Sequence, residues 1–207
     1  EAAGHVKVVL SGEGADELFG GYNIYREPES LKKIAWIPFG VRRVIGKLAA
    51  KLPDVKGRDF LIRAGMKVEE RFIGNAYIYR EKEKAQILKN KVTGPSTQEY
   101  LRPFFKELES ENRGSLRDME KMQSVDLRYW LPGDILQKAD KMSMAHSLEV
   151  RVPFLDKEVF DFAAKLPKEA KIAAGTTKYI FRKAVSEFLP QETDERKKLG
   201  FPIPIRV

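Results

Sequence analysis

The chain has 207 residues, of which 43% are hydrophobic, and this size suits one large or two small soluble domains with a real core. It contains no cysteine and only two histidines, His5 and His146, which excludes disulfides and thiolate metal sites and argues against a zinc site. The formal net charge of +8 would suit a polyanion but does not distinguish nucleic acid from a nucleotide phosphate. Because no long apolar segment and no leader-like N-terminus is present, we expect a cytoplasmic chain without a membrane span.

The first predicted element is a short β-strand at residues 6–10 (VKVVL), an apolar, β-branched run typical of a buried parallel strand. No second run of this character follows, so we expect a lone strand or one that pairs with another molecule. The chain stops at residues 202–207 (PIPIRV) without a polar tail. We therefore interpret both ends as cuts within a longer protein, and the remainder as mainly helical.

A glycine-bearing loop, residues 11–17 (SGEGADE), connects this strand to a short helix that Gly20 and Gly21 close. Open α/β sheets place their ligands just outside the carboxyl end of a strand, which is the position of this loop. The carboxylates there, Glu13, Asp16 and Glu17, could simply support the helix N-terminus electrostatically. Glu13 and Asp16 would equally suit a magnesium–nucleotide site, although the sequence matches neither the dinucleotide nor the Walker A fingerprint.

A long helical region, residues 27–125, follows without an assignable motif. One of its helices is basic and amphipathic, with an apolar face formed by Val41, Val44, Ile45, Leu48 and Leu52 beside Arg42, Arg43, Lys47 and Lys51. Such a helix could lie on a membrane or against an acidic partner. We favour the simpler interpretation, in which the apolar face packs on its own domain.

The last region, residues 126–207, is predicted to be helical around one extended segment. A helix over residues 116–131 should end at Pro132-Gly133, and another over 134–144 should bury Met142 and Met144. Residues 148–155 (LEVRVPFL) are extended, Asp156 caps the next helix, and Thr176 or Thr177 caps the last one, whose apolar stripe is Ile180, Phe181, Ala184, Val185 and Phe188.

Two further groups of charged residues stand out in this region. Lys178 lies in the first turn of the last helix, where a positive charge opposes the helix dipole. It is either a solvated surface lysine or, together with the helix N-terminus, part of a phosphate site. Glu149 and Arg151 point to the same side of an extended segment, and we expect a buried structural ion pair that Asp140 could join.

In this order, the motifs resemble the asparagine synthase family. The matching segments are VVLSGEGADELFGGY at 8–22, LPGDILQKADKMSMAHSLEVRVPFLD at 131–156, TTKYIFRKAV at 176–185 and RKKLGFPIP at 196–204. The resemblance implies the C-terminal part of an ATP-pyrophosphatase domain, an α/β fold of the adenine-nucleotide α-hydrolase-like type with one parallel strand remaining here. Residues 1–26 would be its nucleotide-site unit, 27–125 its variable helical region and 126–207 its pyrophosphate-site region.

The resemblance also implies a reaction and a set of roles. Glutamine-hydrolysing asparagine synthetases use ATP to convert aspartate to β-aspartyl-AMP, and ammonia from a separate glutaminase domain then displaces AMP. By similarity, Ser11 and Gly12 contact the ATP, Asp16 binds magnesium and Lys178 neutralises charge on the departing pyrophosphate. Glu13 would lie where the acyl-adenylate meets ammonia, placed to accept a proton from the attacking nitrogen.

The chain departs from the complete enzyme in lacking the Ser-Gly-Gly-x-Asp-Ser pyrophosphate loop and the N-terminal cysteine, both expected upstream of Glu1. We therefore expect the isolated chain to be inactive. One rival interpretation is a related synthetase that adenylates another carboxylate, although Glu13 argues against the β-lactam branch, where a tyrosine stands. Another is a non-catalytic module that binds nucleic acid, but the basic residues are dispersed and no aromatic-interleaved platform is present. The acceptor substrate and the oligomeric state stay open.

Overall fold

A computed structural model describes residues 1–75, 79, 81–89, 94–112 and 116–190. The first part contains strand β1 (Val8–Leu10) and helices α1 (Ala15–Phe19), α2 (Glu27–Lys32), α3 (Phe39–Ala49), α4 (Arg58–Ala64), α5 (Val68–Arg71), α6 (Glu81–Ile87) and α7 (Thr97–Glu111). The second contains α8 (Asp118–Val125), a π-helix (Asp126–Leu136), α9 (Gln137–Met144), β2 (Glu149–Arg151), α10 (Lys157–Lys165), α11 (Lys168–Lys171), β3 (Ile172–Ala173), β4 (Thr176–Thr177) and α12 (Tyr179–Val185). Short 3₁₀ turns lie at Ala2–Gly4, Asn23–Arg26 and Pro153–Leu155. The predicted mainly helical character is confirmed.

The prediction that β1 would be alone, or would pair with another molecule, is wrong. Strand β1 pairs in parallel with β2, with Val9 opposite Val150, and the ladder continues where the Ser11 amide donates to the Arg151 carbonyl at 2.9 Å. Pattern reasoning missed β2 as a partner because its sequence, Glu-Val-Arg, alternates exposed charges with one apolar residue. Within the described residues, the sheets have two strands each.

The second sheet is a small antiparallel hairpin, β3–β4, which the sequence analysis did not predict. Its turn residues Ala174 (φ 49°) and Gly175 (φ 73°) both lie in the left-handed region, as the tight turns that match the strand twist require. Thr176 and Thr177 therefore belong to a strand and do not cap α12. Lys178 itself is the N-cap residue of that helix.

The predicted helix break at Pro132-Gly133 is also wrong, because the helical path runs from α8 through the π-helix into α9. A proline in a regular α-helix lacks a donor and crowds the carbonyl four residues before it, and the wider π-helix turn accommodates Pro132 without ending the path. Met142 and Met144 on α9 are 64% and 55% exposed, so their predicted core role is not seen.

Helix α3 packs on α4 with a different face from the one predicted. Gly46 of α3 lies so close to α4 that an added Cβ would come within 3.0 Å of the Leu61 carbonyl oxygen. The predicted core positions Val44 and Leu48 are 58% and 59% exposed. Small residues allow the two backbones to approach more closely than branched ones would, which selects the glycine face for the contact. No helix in the described part of the chain is long and apolar enough to cross a membrane.

Two hydrophobic clusters support the chain around α1. The larger one contains Tyr25, Val68, Phe72, Leu101, Phe105, Met119, Met122 and Val125. In the smaller one, Leu18 and Phe19 of α1 pack with Ala163 of α10, and the Phe19 ring lies 5.3 Å from the Phe181 ring of α12. The smaller cluster thus fixes α1 against α10 and α12, which positions the loop before it.

Candidate nucleotide and metal site

The loop between β1 and α1 forms the first half of the candidate site. Gly14 is the N-cap of α1 with φ 88°, and a Cβ there would lie 2.4 Å from the Leu155 Cδ2 atom. Only glycine satisfies both the left-handed backbone and this close approach. Ser11 and Gly12, predicted to contact ATP, come directly after β1, and a Cβ on Gly12 would meet nothing within 4 Å. The backbone of Gly12 is thus open to a ligand.

Glu13 has an unusual environment for a carboxylate in a surface loop. Its side chain is half-buried, and its Oε2 atom is enclosed without a hydrogen-bond partner among the described residues. Buried polar atoms nearly always have a partner, and an exception needs a reason such as an absent ligand or a catalytic role. This oxygen without a partner is compatible with contact between Glu13 and a ligand.

Asp16 and Lys178, predicted separately from opposite ends of the sequence, lie together in the structure. The Lys178 Nζ atom is 3.1 Å from the Asp16 Oδ1 atom, and the two side chains are 21% and 27% exposed. Lys178 adopts the left-handed conformation (φ 53°) at the start of α12, directly after the β3–β4 hairpin. The Asp16 carboxylate offsets the unfavourable placement of a cation at a helix N-terminus. The hairpin and α1 thus bring the two predicted halves of the site together.

A glycine turn encloses Asp16 from the other side. Gly20 caps α1 with φ 71°, as the sequence predicts, and the Gly21 amide donates to the Asp16 carbonyl at 2.7 Å. A Cβ on Gly21 would lie 1.7 Å from the Asp16 Oδ1 atom, a distance no real side chain tolerates. The turn therefore passes directly over the Asp16 carboxylate.

Behind α1 lies a buried polar network that the sequence analysis missed. Glu17, interpreted from the sequence only as a helix-supporting acid, is 1% exposed and accepts a 2.6 Å hydrogen bond from the Tyr22 hydroxyl. Tyr25 donates to Asp126 at 2.5 Å, and burial raises the pKa of Asp126 to about 6. Burial, reinforced by Glu17, likewise raises the pKa of Tyr22 above its usual range. Pattern reasoning had no signal for the Tyr25–Asp126 contact, because the two residues are 101 positions apart in sequence.

The predicted ion pair between Glu149 and Arg151 is present at 2.8 Å, but the two side chains are 52% and 66% exposed. The prediction of a buried pair is wrong, since these alternating positions of β2 face outward. Asp140 is exposed on α9 and makes no ion pair with Arg151 within the described chain. We assign this pair no part in the site.

The donor set allows a magnesium site only if the substrate completes it. The described residues hold no group of three His, Cys, Asp or Glu side chains that could bind a metal alone. Magnesium, however, is commonly held by one or two carboxylates together with phosphate oxygens and water. Asp16 in the first turn of α1, with Glu13 in the loop before that helix, fits that partial donor set.

The comparison with protein families gives one result that decides the classification. The model described as "Asparagine synthase" matches residues 1–207, the whole chain. The chain belongs to the asparagine synthase family. The predicted resemblance is confirmed, and the loop, Lys178 and the glycine turn described above are parts of an asparagine synthase region.

Similar proteins support the same family and show how much of it is present. The chain is 51% identical to "Asparagine synthetase [glutamine-hydrolyzing] 1" of Bacillus subtilis and 46% identical to a "Putative asparagine synthetase [glutamine-hydrolyzing]" of Mycobacterium tuberculosis, over its full length in both cases. It is 41% identical over 71 residues to the Gallus gallus asparagine synthetase, which covers 33% of this chain and 12% of that protein. The chain spans 32% of the Bacillus and 31% of the Mycobacterium protein. No solved structure gave a significant match. The RKKLGFPIP segment at 196–204 lies outside the described residues.

Proposed function

We propose that this chain is the C-terminal part of the synthetase domain of a glutamine-hydrolysing asparagine synthetase. The complete enzyme would amidate aspartate through β-aspartyl-AMP, with ATP as the activating substrate and ammonia from a glutaminase domain outside this chain. The proposal rests on one observation above all. In the helix that follows β1, Asp16 forms an ion pair with Lys178, and Glu13, three residues earlier in the chain, has an enclosed oxygen without a hydrogen-bond partner among the described residues.

The proposed roles follow from the charges that the reaction creates. Cleavage between the α- and β-phosphates develops negative charge on pyrophosphate, and the ammonium of Lys178 would neutralise it. Asp16 would hold magnesium, which when bound screens the phosphate charges. The open backbone of Gly12 would allow close approach of the nucleotide, beside Ser11 at the end of β1. Glu13 would accept the proton that ammonia loses as it attacks the acyl group.

The Asp16–Lys178 pair gives the chain a defined state before substrate arrives. Each charge keeps the other satisfied at 3.1 Å. When magnesium and ATP bind, the Asp16 carboxylate would turn to the metal and the Lys178 ammonium to the phosphates. Each side chain would then exchange one oppositely charged partner for another. This exchange avoids leaving either partly buried charge unpaired.

The domain division is part of the proposal. Residues 1–26 would form the nucleotide-site unit, 27–125 the variable helical region and 126–207 the region that carries Lys178. The pyrophosphate loop and the glutaminase would be supplied by sequence outside this chain.

The test is the reaction of the full-length protein with ATP, aspartate and ammonium. We expect asparagine, AMP and pyrophosphate in equal amounts. Formation of ADP and phosphate, or amidation of a different carboxylate in preference to aspartate, would contradict the proposal. Replacement of ammonium by glutamine should support the same products through the glutaminase domain.

A further inference from the structure

Three side chains, those of Tyr22, Gln123 and Trp130, connect the buried face of α1 to the helical path formed by α8 and the π-helix. The Tyr22 hydroxyl donates to the Glu17 Oε1 atom at 2.6 Å and accepts from the Trp130 indole nitrogen at 3.3 Å. Gln123 donates to the backbone carbonyl of Glu17 and to that of Leu18 at 3.2 Å. Trp130 lies in the π-helix and Gln123 in α8, so the chain of hydrogen bonds ties α1 to this helical path.

Burying the Glu17 carboxylate is costly, and the site chemistry does not use it. An ionisable group that is 1% exposed remains charged only where hydrogen bonds compensate its lost hydration. The Tyr22 hydroxyl provides such a hydrogen bond to this carboxylate. Because this hydrogen bond is short, at 2.6 Å, and its acceptor carboxylate is buried, it restrains the position of Tyr22.

The position of Tyr22 determines the position of the turn before it. Gly20 and Gly21 connect α1 to Tyr22, and the Gly21 backbone passes so close to Asp16 that a Cβ would lie 1.7 Å from its Oδ1 atom. A shift of Tyr22 away from Glu17 would therefore move the turn relative to the Asp16 carboxylate. Glu17 and Asp16 are neighbours on the same short helix, one facing the buried network and the other facing Lys178.

We infer that Tyr22 and Glu17 are positioning residues: their hydrogen bond fixes the glycine turn over Asp16 and thereby sets the geometry of its carboxylate for magnesium–nucleotide binding. This inference rests on the proposed function, because it concerns the metal-binding role of Asp16. Neither Tyr22 nor Glu17 touches the reacting atoms.

The structure provides a matched control. Tyr25 lies in the same core, its ring is 5.6 Å from the Tyr22 ring, and its hydroxyl also donates to a buried carboxylate, that of Asp126, at 2.5 Å. Asp126 keeps two further hydrogen bonds from Asn75, and among the described residues no hydrogen bond joins Tyr25 or Asp126 to Gly20 or Gly21. Tyr22→Phe and Tyr25→Phe thus remove the same chemical group from the same core, but only the first acts on Asp16.

The experiment is calorimetric titration of the full-length protein with magnesium and α,β-methylene-ATP, which binds without reacting. We expect Tyr22→Phe to raise the Kd about tenfold, a change of the size that the loss of one buried hydrogen bond produces. Tyr25→Phe should lower the melting temperature about as much as Tyr22→Phe does, but it should leave the Kd unchanged. Glu17→Gln keeps an acceptor for Tyr22 and should bind more tightly than Glu17→Leu, which keeps none.

Three outcomes would overturn the inference. If wild-type protein does not bind the magnesium analogue, the proposed function fails, and the inference fails with it. If wild-type protein binds but Tyr22→Phe binds equally well, only the positioning role is refuted. If Tyr25→Phe and Tyr22→Phe weaken binding equally, the effect is general loosening of the core and again refutes it.

Discussion

Replacing Lys178 by alanine tests whether this lysine serves only in a structural ion pair with Asp16 or also acts in catalysis. At the observed 3.1 Å, two unit charges attract by about 5 kcal/mol if the effective dielectric constant is about 20. Both side chains keep roughly a quarter of their surface exposed, so hydration and side-chain entropy offset most of this attraction. The net contribution to the free energy of unfolding should therefore be about 1 kcal/mol or less.

The expected loss of activity is much larger. If Lys178 faces the departing pyrophosphate, its removal costs about 3 kcal/mol of transition-state stabilisation, which lowers the rate of adenylation more than about a hundredfold. A solvated surface lysine would produce no such loss. The ratio between the effect on rate and the effect on stability therefore distinguishes the two interpretations.

The assay is isotope exchange between labelled pyrophosphate and ATP in the presence of aspartate, measured beside asparagine release in the full-length enzyme. Lys178→Ala should suppress both signals and leave the melting temperature nearly unchanged. Lys183→Ala, an exposed lysine on the same helix α12, is the control and should retain both. Normal exchange by Lys178→Ala would refute the pyrophosphate role.

Five further predictions concern the site, the buried network behind it and the chain as a whole. Glu13→Gln keeps the size of the side chain but removes the base, so pyrophosphate exchange should survive better than asparagine formation in the same assay. Gly12→Ala should leave the melting temperature unchanged, because a Cβ there meets nothing within 4 Å, yet raise the KM for ATP where the nucleotide approaches the backbone. Gly21→Ala should abolish exchange, because its Cβ would collide with the Asp16 carboxylate, and a variant that exchanges normally would contradict the described turn. For Asp126, burial raises the folded-state pKa from 3.8 to about 6, so the folded protein binds this proton more tightly than the unfolded chain does. The contribution of Asp126 to the free energy of unfolding should therefore fall by about 3 kcal/mol as pH rises from about 4 to about 6. In urea denaturation, Asp126→Asn should remove this dependence of the free energy of unfolding on pH. An unchanged pH dependence would contradict the raised pKa of Asp126. Finally, the purified 207-residue chain should form no asparagine from ATP, aspartate and ammonium, and detectable product would overturn the proposed incompleteness.

The sequence predicted the local parts of the site because local chemistry determines them. A strand followed by a glycine loop and a short helix, with Gly20 as its cap, needs no distant partner to be recognised. Lys178 was singled out because a cation at a helix N-terminus conflicts with the dipole, and Asp16 lies beside it in the structure. The family motifs were recognisable because each preserves several residues in fixed order.

The errors have a common physical origin in contacts between distant segments. Strand β2 lacked an apolar run because only Val150 faces inward, and its pairing with β1 depends on a partner far away in sequence. The apolar stripe of α3 suggested a buried face, but close contact at Gly46 shifted the packing to an adjacent face of the helix. Periodicity reports which face could be buried, and only the tertiary packing decides which one is.

The parallel pairing of β1 with β2 also bears on how the protein folds. The Gln123 side chain reaches the Glu17 carbonyl across 106 residues, and the strand pair closes a still longer loop. Closing such loops costs chain entropy before any contact compensates it, so non-local pairing is slow relative to helix formation. During synthesis on the ribosome, helices α2 to α7 can form before β2, the strand that pairs with β1, has been made. Until then, the edge of β1 that pairs with β2 is open, and unpaired strand edges are prone to mispairing.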